Sequence, residues 1–156
     1  MTALRKSSYL FPSLSKLGDR LEPLGYLVVR CTAGFIYAVH GLGRLRIVDI
    51  GGPTIESTGQ FMERFGFVPG LFWSYGVTAL ELVGGILLIL GLFTRPVAVL
   101  LVGFMAVATF YVTARFGFWA RDGGLEYSLI LLALAFAFLI KGGGPYSVDR
   151  LSGSES

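Results

Sequence analysis

Leu71 to Phe93 is a predominantly apolar run of 23 residues that stops at Thr94-Arg95-Pro96 and carries one charge, Glu81, near its middle. At ~1.5 Å rise per residue, ~20 helical residues cross the ~30 Å hydrocarbon core of a bilayer, so this run is long enough to span. A carboxylate at that depth is costly. It must be neutral or paired, and it must face protein or a wet cavity rather than lipid. Gly84 and Gly85 follow three and four residues later, on the same helical face as Glu81, and open that face to close approach by another helix.

Composition extends this reading to the whole chain. The 156 residues are 54% hydrophobic and only 15% charged, where a soluble domain carries about 25% charged residues. Mean hydropathy is +0.70, and the apolar residues are gathered into long runs. A polytopic membrane protein of one domain follows. The net charge of +3 reads as juxtamembrane Lys and Arg that hold topology, not as a nucleic-acid-binding surface. Cys31 is the only cysteine, which rules out an internal disulfide or a CxxC redox pair. His40 is the only histidine, which rules out bis-histidine haem ligation within the chain. No metal or catalytic motif and no nucleotide-binding glycine motif is present. The first 23 residues lack the pattern of a cleavable signal peptide.

The expected fold is all-α, with four transmembrane helices in an up-down bundle plus short interfacial helices. Residues 1–23 form an amphipathic cytoplasmic tail, with Leu10, Leu14, Leu17, Leu21 and Leu24 at alternating spacings of four and three. That stripe reads either as a helix lying on the cytoplasmic leaflet or as a partly ordered tail. The membrane domain covers 24–141. Its spans are Leu24–Leu42, Leu71–Phe93, Pro96 to about Thr113, and Leu125–Ile140. Between the first two, Phe61 and Phe65 mark a short helix ending at Gly66. Residues 142–156 form a cytoplasmic C-terminal tail, loose beyond Arg150. Seven basic residues (Arg5, Lys6, Lys16, Arg20, Arg95, Lys141 and Arg150) fall on the side of the termini and five (Arg44, Arg46, Arg64, Arg115 and Arg121) on the other. The bias places both termini in the cytoplasm.

Candidate site residues come from depth. In the first span Arg30, Gly34, Tyr37, Gly41 and Arg44 share one polar, small-residue face. Measured from Leu24, Phe93 and Pro96 as cytoplasmic ends, Tyr37, Glu81 and Thr109 lie at about 20, 18 and 20 Å, one common level. His40 lies about 24 Å in, with Arg44 and Glu126 near the outer boundary. Arg30 is only about 9 Å in and is poorly matched to Glu81; it is a member of the polar stripe or a snorkelling anchor. The set Glu81, Tyr37, His40, Arg44, Glu126, Arg30 and Thr109 reads as a ligand-binding polar cavity opening outward, with Glu81 and Tyr37 at its floor. The competing reading is polar glue between four helices.

The segment Glu81-Leu82-Val83-Gly84-Gly85-Ile86-Leu87-Leu88-Ile89-Leu90-Gly91-Leu92-Phe93-Thr94-Arg95-Pro96 resembles the E-x-x-G-G-x-x-L-x-x-G-x-x-T-R stretch of the DoxX family of small four-helix membrane proteins from bacteria and archaea. Supporting pieces are Arg30 with His40-Gly41, Gly66-Phe67-Val68-Pro69, Gly124-Leu125-Glu126, and Gly144-Pro145-Tyr146-Ser147-Val148-Asp149. Arg44 stands where many relatives carry Lys. The resemblance covers roughly Leu24–Arg150. It implies a four-helix protein of the cytoplasmic (inner) membrane linked to respiratory or thiol-stress redox complexes, with no intrinsic cofactor and a quinone or a cofactor-bearing partner for any redox step. Three functions stay open: a subunit that binds a quinone or similar lipophile, a non-catalytic accessory subunit of a larger membrane complex, and a small-solute transporter.

Overall fold

The computed structural model describes residues 12–153, and residues 1–11 and 154–156, Leu10 of the leucine stripe among them, lie outside the described residues. Among the described residues six α-helices follow one another: α1 (Pro12–Arg44), α2 (Ile55–Glu63), α3 (Gly70–Leu90), α4 (Thr94–Ala106), α5 (Glu126–Lys141) and α6 (Val148–Leu151). A π-helical stretch, Val107–Val112, and a 3₁₀ turn, Thr113–Phe116, extend α4. Among the described residues, two helices are long and apolar enough to cross a membrane, Gly70–Leu90 and Thr94–Phe116.

Residues 12–23 of the expected tail and the expected first span are one element. α1 runs through the expected boundary at residue 23 with Pro23 inside it, where the proline removes one helical hydrogen bond. Leu17, Leu21 and Leu24 of the stripe are each about half exposed. The expected short helix between the first two apolar runs is α2. α2 starts at Ile55, because Thr54 and Ser57 form a reciprocal capping box there, and it ends before Gly66.

α1 and α3 pack face to face through glycine. A Cβ on Gly34 would lie 2.7 Å from the Gly85 carbonyl oxygen, and one on Gly41 2.7 Å from Leu82 Cβ. Gly34 lies against Ile89, Ala38 against Gly85, and Gly41 against Leu82, so the two helices run antiparallel in a defined register. Gly84 turns to α4 instead, where a Cβ would meet Val97 at 3.3 Å. The adjacent glycines thus serve two neighbours. α4 packs along α5 and α2 along α3. Ala33, Tyr37, Leu88, Ala98, Leu101, Ala135 and Phe138 meet in the central core.

Polar groups are inside this bundle and large apolar ones outside. Arg30, Ser74, Thr78, Glu81, Thr94 and Thr109 are buried, whereas Phe35, Leu100, Phe110 and Ile140 are 60–66% exposed. Aqueous solvent would penalise a surface of that kind.

The C-terminal segment is built into the end of the bundle. Arg30, 1% exposed, donates to the carbonyls of Gly143 and Tyr146, the latter at 2.6 Å. Tyr26 donates to the Gly142 carbonyl. Asp149 accepts from the backbone N–H groups of Phe93 at 2.7 Å and Thr94 at 2.9 Å. Its carboxylate therefore sits at the N-terminus of α4, where unpaired N–H groups and the helix dipole favour an anion. Gly91 ends α3 with φ of 66°; a side chain there would be strained and would also strike Arg30 and Ser147. Arg30 neither snorkels nor joins the Glu81 cluster.

Candidate functional site

Glu81 is 4% exposed and is paired with Arg44. Arg44 Nη1 donates to Oε2, and Nη2 reaches Oε1 at 3.4 Å. The α1–α3 register explains the pairing. With Gly41 against Leu82, Arg44 comes level with Ala79, about 3 Å along the axis from Glu81. Helical side chains lean towards their own N-terminus, which brings the guanidinium back to the carboxylate. In the same register Arg30 comes level with Phe93, too far from Glu81 to pair.

Other polar groups gather around this ion pair. Tyr37, 1% exposed, and Tyr127 of α5 both lie within electrostatic reach of Glu81, and His40 within reach of Arg44. Tyr127 Oη and His40 Nε2 are 3.4 Å apart. The Tyr37 hydroxyl has no hydrogen-bond partner among the described residues. Thr109, in the π-helical stretch, is fully buried; its carbonyl accepts from Thr113, which also bonds Ser128 at 2.9 Å. Glu126 stands apart and accepts from the Ala120 N–H at 3.1 Å, closing the loop before α5. Glu81, Arg44, Tyr37 and His40 are thus brought together, while Arg30, Glu126 and Thr109 have separate surroundings.

A cavity beside α2 differs from the expected polar pocket. It holds about 1040 Å³ and is walled by α2, α3 and the α4–π segment. Its lining is largely apolar and includes Phe61, Phe72, Trp73, Leu80 and Phe104. Of the expected pocket residues only Arg44 lines it; Glu81, Tyr37, His40, Glu126, Arg30 and Thr109 do not. Burial is the reason for Glu81, whose carboxylate is paired with Arg44.

Two lining residues each carry a buried donor that has no partner among the described residues. Thr58 is 7% exposed, and its Oγ1 has no hydrogen-bond partner among the described residues. Arg44 Nε is buried and equally unpaired. At the rim, Arg115 lies 4.7 Å from the Tyr111 ring centre and 5.4 Å from that of Phe65, and Tyr111 donates to the Phe65 carbonyl at 3.1 Å. These contacts tie the end of the α4 extension to the segment after α2. Thr58 escaped sequence reasoning because it sits on a short helix between spans; its one signal was a hydroxyl beside the Gly59 that packs against α3.

An all-helical bundle with a buried ion pair, polar residues inside and an apolar exterior defines a class of small helical membrane protein. The chain belongs to the DoxX family, whose profile matches residues 25–114. It is 32% identical over 130 residues to the protein of Bacillus subtilis (strain 168) named Putative oxidoreductase CatD, covering 81% of this chain and 85% of that protein. It is 30% identical over 132 residues to Inner membrane protein YqjF of Escherichia coli (strain K12), covering 85% of this chain and 95% of that one. No solved structure matches.

Proposed function

We propose that this DoxX protein is a four-span subunit of a cell membrane, with both termini cytoplasmic, and that it holds a quinone or a similar lipophile for a membrane redox complex. The carrying observation is the largely apolar cavity of about 1040 Å³, with aromatic walls and Arg44 and Thr58 among its few polar lining residues. Binding sites for lipophiles pair apolar walls with a few placed polar groups. A quinone suits this lining: the aromatic walls would hold its ring and tail, with Thr58 and Arg44 as polar residues beside its head. When bound, a quinone supplies two-electron redox chemistry that no residue of this chain carries. The chain's own part is to bind and orient the head and to exclude water, with Glu81 keeping Arg44 in place. The word oxidoreductase in the name of the Bacillus relative supports the redox assignment. α1, α3, α4 with its extension, and α5 are the four spans, with α2 on the non-cytoplasmic side.

Gentle purification from native membrane tests this reading. A quinone recovered at a fixed ratio to the protein, together with redox subunits, is the expected result. Stoichiometric large subunits without any lipophile would favour a purely structural accessory role. Topology is read separately in a Cys31→Ala background: Thr54→Cys should react with an impermeant reagent from outside, and Ser152→Cys should not.

A further inference from the structure

We propose that the N-terminal half of α1 is a dimerisation helix, in which Leu17, Leu21, Leu24 and Val28 meet the same residues of a second copy in a parallel, left-handed coiled coil. The dimer uses the proposed spans and is independent of any ligand in the cavity.

The bundle ends before α1 does. The α3–α4 turn comes level with Arg30, and Lys141 at the end of α5 pairs with Glu22. From Glu22 back to Pro12, α1 runs on for about 15 Å beyond these neighbours. Every residue from Lys16 to Glu22 is exposed. α1 stays helical through Pro23, so this stretch leaves the bilayer along the direction of the span and its apolar stripe is lifted off the leaflet.

That stripe has the period of a coiled coil. Leu14, Leu17, Leu21, Leu24 and Val28 are spaced three, four, three and four apart. A strict seven-residue repeat drifts around a straight helix and stays in one seam when two helices wind left-handed about each other. Leu17, Leu21, Leu24 and Val28 are 49–56% exposed. They lie roughly opposite the Gly34 and Gly41 face that packs on α3, so a second helix reaches them without displacing the bundle.

Membrane orientation and charge select a second copy as the occupant. Copies of one chain insert with one topology, so their α1 helices run parallel, and a two-fold axis along the membrane normal sets each stripe against itself. A parallel pair also brings opposite flanks of the stripe together. Lys16 and Arg20 stand on one flank, and Gly18, Glu22 and Gly25 on the other. Arg20 of each copy therefore faces Glu22 of its mate. Among the described residues Glu22 is engaged at Oε1 alone, by Lys141. Glycine weakens a helix relative to alanine, yet a Cβ on Gly18 or Gly25 would meet nothing within 4 Å. In the dimer these two bare positions beside Glu22 admit the mate's Arg20 side chain.

Cysteine cross-linking in membranes tests the dimer in a Cys31→Ala background. Leu17→Cys and Leu21→Cys should each join two copies on mild oxidation, and Asp19→Cys, on the far side of the helix, should not. In detergent, energy transfer between copies labelled at Ser152→Cys should report self-association. Leu17→Ala with Leu21→Ala should weaken it about tenfold or more, and Arg20→Ala about threefold, at unchanged helix content. No cross-link at either leucine, or one as strong at Asp19, would overturn the dimer. So would a fluorophore on Leu17→Cys quenched by brominated lipid chains, which would lay the stripe on the leaflet, or cross-links from Leu17→Cys to a different protein only.

Discussion

Arg44 on α1 and Glu81 on α3 form a bidentate ion pair in the interior of the bundle, and Arg44 also lines the apolar cavity. The pair joins helix packing to the cavity. Removing one partner leaves a buried charge uncompensated, which typically costs about 3–5 kcal/mol, whereas replacing both with apolar groups of similar size is often neutral. Glu81→Gln should therefore lower stability by about that amount, and Arg44→Met with Glu81→Leu should recover most of it. A double-mutant cycle read by denaturant unfolding in detergent checks this. Additive losses would mean that the two side chains do not interact.

The Tyr37 hydroxyl is buried without a partner. Tyr37→Phe should leave stability unchanged within about 0.5 kcal/mol or raise it, because removing an unsatisfied polar group relieves its desolvation. A hydrogen bond to Glu81 or Thr109 would instead make the substitution cost about 0.5–1.5 kcal/mol. Thermal melting of the variant decides between the two.

The two classes of glycine should respond in opposite directions. A Cβ on Gly85 would lie 2.6 Å from the Gly34 carbonyl oxygen, so Gly85→Ala should force α1 and α3 apart at a cost of about 1–3 kcal/mol. Gly76→Ala adds a methyl to open space and should stabilise α3 by up to about 1 kcal/mol. Melting of both variants beside the parent tests the assignment, and equal effects would contradict it.

Asp149 ties the C-terminal segment to the start of α4 through two backbone N–H groups. Asp149→Ala should cost about 0.5–2 kcal/mol, the range for losing a helix cap. Proteolysis should then cut near residues 142–153 faster than in the parent. Unchanged cleavage and melting would remove the anchoring role.

Much of the packing was legible because helical periodicity is local. Spacing alone placed Arg30, Gly34, Tyr37, Gly41 and Arg44 on one face, and that face packs on α3; it also marked the Glu81 side of α3 for close approach. Register was not legible. Depth counted from Leu24 set that residue opposite Phe93, but the glycine contacts put Arg30 there, a slip of about six residues or ~9 Å. The slip leaves Glu81 without its partner, because counting depth from Leu24 puts Arg44 at the outer boundary. The cavity was hidden for a different reason. Its walls come from separate segments, and a glycine facing a void has the same spelling as one facing a helix. The role of Asp149 was equally invisible, since it depends on the chain end folding back onto the α3–α4 turn.

The most direct test of the lipophile cavity is to find where a quinone goes. Membranes containing the protein are irradiated with a photoreactive azido-quinone, and the labelled peptides are mapped. The account predicts label on Thr58–Phe61, Trp73–Leu80 and Gly103–Ala108, suppressed by excess unlabelled decyl-benzoquinone and lost in Gly103→Leu. Label confined to outward residues such as Val83, Leu100 and Phe110, unaffected by competitor or by Gly103→Leu, would contradict it.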